Sequence, residues 1–276
     1  MRRAERRAAC ESHIGGRSEQ QDRAVCLTSR DGSSHLLVVA DGMGGHQGGE
    51  LAARTVIDVA ERMWHDLQGA PRQPAGFLEA LCQQAHAEIR RRGQAQGLDP
   101  YSTLAALLVT PGRAWWVHVG DSRVYLFRDG RLVCRTEDHT LVQHLIRIGD
   151  LLESEVADHP ERNKLLRGLG GDEPPRATHG RMGIAADTAF VLCTDGFWAS
   201  VATDEMARLL QADDAAAGCA QWAALAAARG GAEGDNVTVA VLQPERATAG
   251  LRLRQLWPLF GALGVALVVA LTQIFH

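Results

Sequence analysis

The chain has 276 residues, 46% of them hydrophobic and 22% charged, with a formal net charge of −4. That balance is ordinary for a globular protein and excludes a disordered chain, a collagen-like repeat and a multi-span membrane protein. With 29 Lys and Arg against 33 Asp and Glu, the basic footprint that nucleic-acid binding needs is missing.

Residues 1–12 begin with Arg2, Arg3, Arg6 and Arg7 and have no apolar run behind them, so they read as a flexible basic tail and not as a secretory signal. The apolar run 36–40 ends at Asp41 and a glycine-rich turn, the pattern of a buried strand. Over residues 50–67, Ala52, Val56, Val59, Met63 and Leu67 recur at helical spacing. A second helix is predicted over 75–92, where Phe77, Leu81, Ala85 and Ile89 form one core-facing stripe.

Strands follow at 103–110, 114–119, 123–128 and 131–136. The breaks between them, Pro111-Gly112, Gly120-Asp121 and Asp129-Gly130, read as turns of antiparallel hairpins. A helical section around 140–148, a strand at 188–193, helices at 204–212 and 215–228 and a strand at 236–242 complete the series. Helices and strands are grouped and do not alternate, which predicts an α+β class.

Residues 256–275 carry no charged side chain, and about 20 apolar residues suffice to span a bilayer. A single transmembrane helix is predicted there. Arg246, Arg252 and Arg254 precede it and only His276 follows, which predicts a cytoplasmic location for the preceding domain at the membrane. The expected division is therefore a tail (1–12), a catalytic domain (13–244), a juxtamembrane linker (245–255) and the span (256–275).

The six cysteines form no CxxC pair, so no zinc knuckle or thioredoxin-like site is indicated, and a reducing compartment is expected. Three aspartates share one context: Asp41, Asp195 and Asp235 each adjoin an apolar strand and a glycine, in VVADG, LCTDG and GDNVTVAV. A lone Asp-Gly is usually a turn former. If those strands are neighbours, however, the carboxylates converge partly desolvated and need cations, with oxygen ligands favouring magnesium or manganese over zinc.

Other chemistries lack their spacing. The run Gly42 to Gly49 has no Gly-Lys-Ser/Thr ending, no cysteine has an arginine six positions later, and Ser122 is not in a GxSxG elbow. A metal-dependent nuclease would share the carboxylates but lacks a basic track.

The ordered motifs are Arg17-Ser18-Glu19-Gln20-Gln21-Asp22, Val39-Ala40-Asp41-Gly42-Met43-Gly44-Gly45-His46, Ser102-Thr103, Val119-Gly120-Asp121-Ser122-Arg123, Thr136-Glu137-Asp138-His139, Leu169-Gly170, Thr194-Asp195-Gly196 and Asp235-Asn236-Val237-Thr238-Val239. Together they resemble the bacterial form of the protein phosphatase 2C family of metal-dependent serine/threonine phosphatases, from about residue 13 to residue 242. The resemblance implies a four-layer α-β-β-α sandwich of two antiparallel sheets flanked by helix pairs. It implies two Mn²⁺ or Mg²⁺ ions, with a third in bacterial relatives. Asp41 would bridge both ions, Asp195 and Asp235 would complete one, and the Gly42 carbonyl would serve the other. Asp22 would act through metal-bound water, Asp121 would help hold the third ion with Asp195, and Arg17 would grip the phosphate.

The implied reaction is attack of a metal-bridging hydroxide on phosphoserine or phosphothreonine of bacterial proteins, opposing a serine/threonine kinase. Met43 stands where eukaryotic relatives carry a histidine general acid, which leaves a metal-bound water or His46 for that role. Residues 140–169 would form a flap beside the site, in which Leu145, Ile146, Ile148, Leu151 and Leu152 read as packing residues. The alternative is a catalytically weak, membrane-anchored scaffold that binds phosphoproteins; it predicts ligand loss, whereas every expected ligand is present.

Overall fold

The computed structural model describes residues 6–67 and 69–244. Its elements are β1 (Ala8–His13), β2 (Asp22–Thr28), β3 (His35–Met43), α1 (Gly45–His65), α2 (Pro74–Gln96), β4 (Tyr101–Ser102), β5 (Leu104–Thr110), β6 (Arg113–Val119), β7 (Arg123–Arg128), β8 (Arg131–Arg135), α3 (Leu141–Ile148), β9 (Thr178–Gly183), β10 (Thr188–Cys193), α4 (Asp195–Trp198), α5 (Thr203–Leu209), α6 (Ala215–Gly230) and β11 (Val237–Leu242). One antiparallel sheet has the order β1-β11-β10-β7-β8 and the other β2-β3-β5-β6-β9, with β4 paired to β3. The expected α+β sandwich of two antiparallel sheets and flanking helices is therefore observed.

Strand alternation builds the layers. Leu37 and Val39 of β3 and Leu107 of β5 meet Leu126, Phe190 and Leu192 of the other sheet in a core between the sheets. The alternate residues Leu36, Val38 and Ala40 face Val56, Val59, Leu81 and Ile89 of α1 and α2. On the opposite side, Val191, Val239 and Val241 pack under Leu209, Cys219 and Ala223. Central strands buried on both faces explain why 36–40 and 188–193 read as unbroken apolar runs.

Two expectations need correction. Residues 8–12, expected in a flexible tail, belong to β1, which pairs with β11 from Ala8↔Leu242 to His13↔Val237. That strand was illegible because Ala8, Cys10 and Ser12 are small and give little apolar alternation. The Gly120-Asp121 break is not a hairpin. β6 and β7 lie in different sheets, so residues 120–122 cross the sandwich. Gly120 has φ +98, and an added Cβ would lie 2.7 Å from Thr103 Cγ2; only glycine makes that crossing without strain.

Residues 1–5, the predicted linker 245–255 and the predicted membrane helix 256–275 lie outside the described residues. Among the described ones, no helix is long and apolar enough to cross a membrane.

Candidate active site

The acidic residues gather at one end of the sandwich because both sheets deliver them there. Asp22 opens β2 directly opposite Asp41 in β3. From the other sheet, Asp195 follows β10 and Asp235 precedes β11, while Asp121 lies on the crossing between sheets. Arg17, Asp41, Gly42, Asp121, Asp195 and Asp235 line one cavity of about 450 Å³. Asp22 does not line it; its side chain is 1% exposed and lies behind the wall beside Asp41.

Short polar side chains hold this arrangement. The Asp41 N–H donates to Thr103 Oγ1 at 2.9 Å, the Thr103 N–H donates to the Asp41 carbonyl at 2.8 Å, and Thr103 Oγ1 lies 2.7 Å from Ser122 Oγ. One threonine thus ties Asp41 to the segment that carries Asp121. The Thr194 hydroxyl donates to Asp22 Oδ2 at 2.7 Å, linking the two sheets. Gly42 closes tightly on α1, where an added Cβ would lie 1.9 Å from the Gly49 carbonyl oxygen. This contact requires glycine for space.

Three residues, two of them standing in the motifs as Arg123 and Asn236, have positioning roles that the sequence does not assign. Asn236 accepts from the Gln21 N–H at 2.7 Å and donates to the carbonyls of Ile14 and Glu19 at 2.8 and 2.9 Å. It thereby fastens the loop that bears Arg17. Trp198 Nε1 donates to the Asp121 carbonyl at 3.0 Å, and the Arg123 guanidinium lies 3.5 Å from the Trp198 ring centroid. Arg123 in turn forms two hydrogen bonds to Asp138, of 2.8 and 2.6 Å. The detectable signal was a polar residue immediately following a candidate ligand, as in Asp235-Asn236.

Electrostatics set the character of the cavity. Burial, with Asp195 and Asp235 adding repulsion, pushes Asp22 up to about 7. Burial followed by repulsion from Asp22 and Asp195 raises Asp41 well above the usual carboxylate range. Asp121 rises to about 7 through burial and Asp195, and Asp195 to about 6 through burial and Asp235. Such crowding is costly unless cations compensate it.

The donor set fits hard divalent ions. It consists of carboxylate oxygens, and Asp121 Oδ1 is buried without a hydrogen-bond partner. Among the described residues, no three Asp, Glu, His or Cys side chains already form a closed coordination group.

The flap expected at 140–169 borders the cavity through Asn163 and Leu165. Its ends are tied down by the Thr140–Leu165 and Ser102–Leu169 bridges. Two of its expected packing residues are not packed: Ile148 is 53% exposed and Leu152 is 65% exposed. Met43 lines the cavity, whereas the His46 side chain lies outside the description.

Comparison with known proteins places these features in context. The protein phosphatase 2C family model matches residues 10–227. The chain is 33% identical over 234 residues to serine/threonine protein phosphatase PstP of Mycobacterium tuberculosis, a match covering 80% of this chain and 43% of that protein. It therefore spans less than half the length of this curated relative. The crystal structure of the Mycobacterium tuberculosis phosphatase PstP/Ppp is similar with a TM-score of 0.77 and 32% identity, over 87% of this chain and 99% of that one. A structure of the PstP catalytic domain in complex with two manganese ions is similar with a TM-score of 0.74 and 31% identity, over 86% and 97% of the two chains.

Proposed function

The chain belongs to the protein phosphatase 2C family, and on that premise we propose that it is a metal-dependent phosphatase of phosphoserine and phosphothreonine in proteins. The observation that carries this reading is the meeting of Asp41, Asp121, Asp195, Asp235 and Arg17 in one cavity, with Asp22 directly behind it.

Asp41, Asp195 and Asp235, with the Gly42 carbonyl, would hold two Mn²⁺ or Mg²⁺ ions, and Asp121 with Asp195 would hold a third. When bound, the ions supply Lewis acidity at the phosphoryl oxygens and make water nucleophilic near neutral pH. Arg17 offers a planar fork of donors to those oxygens. Asn236 orients it by fixing its loop. Asn163 and Leu165 approach the same cavity from the flap and would limit water around the bound side chain.

A cysteine nucleophile is not available, since no cysteine lines the cavity and burial raises the nearby Cys193 thiol far above its ordinary range. Hydrolysis would therefore be direct, without a covalent phosphoenzyme. The partners in this reading are phosphorylated proteins and a kinase that modifies them. The uncharged run 256–275, preceded by Arg246, Arg252 and Arg254, supports a single membrane span with the catalytic domain on the cytoplasmic face.

The test is phosphate release from phosphoserine and phosphothreonine peptides with added Mn²⁺ or Mg²⁺ and with excess chelator. Release that requires the ion supports the reading. Full activity in chelator would overturn it.

A further inference from the structure

β1 and β2 are the terminal strands of different sheets and run beside each other at one edge of the sandwich. That edge is sealed by small side chains: Ala8 and Cys10 from β1 and Ala24 and Cys26 from β2 all pack against the core between the sheets. Facing sheets ordinarily stand about 10 Å apart. Small residues allow the closer approach that a disulfide requires.

Cys10 and Cys26 pack into the same core between the sheets from adjoining strands. Their mutual influence holds the Cys10 thiol below its ordinary range and Cys26 well above it. Both residues are half-buried, unlike Cys82, Cys193 and Cys219, which are buried. Cys134 is remote, in the strand at the opposite edge of the sheet. Cys219 is the nearest competitor, with its Sγ 3.7 Å from the Ala9 carbonyl. It belongs to the core under α6, however, whereas Cys10 faces the core between the sheets, so β1 separates them.

We propose that Cys10 and Cys26 are a redox modification site, in which a hydroperoxide oxidises Cys10 and Cys26 then closes a disulfide joining the two sheets. In the first step the Cys10 sulfur attacks the peroxide. An S–O bond forms, the O–O bond breaks, and the leaving oxygen takes up the thiol proton. In the second, the Cys26 sulfur displaces the hydroxyl oxygen now bonded to the Cys10 sulfur, and that oxygen departs as water with the Cys26 proton. Two thiols and ROOH thus give a disulfide, ROH and water, a two-electron oxidation.

Sequence position gives the bond a consequence. Residues 10 and 26 bracket the segment that carries Arg17 and Asp22, so the disulfide encloses both in one short ring. Closing such a ring removes conformational freedom from the unfolded chain. It also anchors both ends of the loop that Asn236 fastens at its middle.

The experiment treats the full chain with hydrogen peroxide, alkylates the remaining thiols and maps tryptic peptides. Residues 8–17 and 24–30 are the tryptic peptides that contain the pair. The expected product is these two linked, released by dithiothreitol, and absent from Cys10→Ser and Cys26→Ser. Thermal unfolding of the peroxide-treated wild type should shift upward by several degrees, a shift absent in Cys26→Ser. The wild-type map is decisive even if a variant folds poorly. Free thiols at both positions under conditions that oxidise added glutathione would overturn the proposal. So would a Cys10–Cys219 link, oxidation ending at a Cys10 sulfinic acid, or a link that forms only in urea-unfolded protein.

Discussion

Arg17 Nη2 donates to Asp235 Oδ2 at 2.8 Å, joining a loop near the N-terminus to the approach to the last described strand. Both side chains are about half exposed, at 57% and 43%, so solvent screens the pair and makes it easy to exchange. Replacing Arg17 with Ala should change stability little. It should raise KM for a phosphorylated peptide by about 10- to 100-fold, the worth of a charge-assisted hydrogen bond of about 1.5–3 kcal/mol. Steady-state kinetics and urea unfolding check the two halves.

Asp41→Asn and Asp195→Asn should each lower turnover by at least about 100-fold at saturating Mn²⁺ while the folded structure persists. Each removes one carboxylate from a cavity where like charges repel. In chelator, Asp41→Asn should also raise the unfolding temperature, by about 2–4 °C for each kcal/mol of repulsion relieved. Activity assays and calorimetry on the same preparations would show whether both changes occur.

The acidic cluster fixes a pH dependence. Asp22 and Asp195 titrate near 7 and 6 in the folded chain, against about 3.9 when unfolded. The folded state therefore binds more protons between about pH 4 and 7, and the cluster's contribution to stability falls as pH rises through that window. With chelator present, thermal unfolding followed from pH 4.5 to 8 should reveal this decline. Mn²⁺ should reverse it most strongly above pH 7, where the carboxylates are charged. A flat profile, unaffected by the ion, would contradict the cluster.

Asn236→Ala should remove three hydrogen bonds, one from the Gln21 N–H and two to the carbonyls of Ile14 and Glu19. The expected loss is about 1–3 kcal/mol of stability, since each such bond contributes about 0.5–1.5 kcal/mol. KM for phosphorylated peptides should rise with it, because the Arg17 loop is no longer fixed. Cleavage by trypsin after Arg17 in the native protein should accelerate. A variant with lowered stability but normal KM and normal cleavage would assign Asn236 a purely structural role.

Removal of residues 251–276 should release the protein from membranes while preserving its rate on a small phosphate ester. The described catalytic fold ends before this segment, with β11 closing at Leu242. Fractionation of full-length and truncated protein checks the anchor. Protease added from outside intact cells checks the orientation, since a cytoplasmic domain should be spared.

The line between legible and hidden features follows the range of the forces involved. Runs such as 36–40 and 188–193 announced buried strands, and Phe77, Leu81, Ala85 and Ile89 announced a helix face, because burial imposes a period on neighbouring residues. The contexts of Asp41, Asp195 and Asp235 were equally local, as were the motifs that resemble the family. β1 left no such signature, since its stability comes from pairing with β11 more than 200 residues away. Gly120-Asp121 looked like a hairpin because a turn and a crossing use the same residues; which sheet receives β7 is decided by its pairing with β10. The placing of Asp22 behind the cavity, the clamp at Asn236 and the meeting of Cys10 and Cys26 at one core from adjoining strands likewise belong to tertiary structure alone. Each is a short-range contact between residues far apart in sequence, so nothing in the local pattern of either partner encodes it.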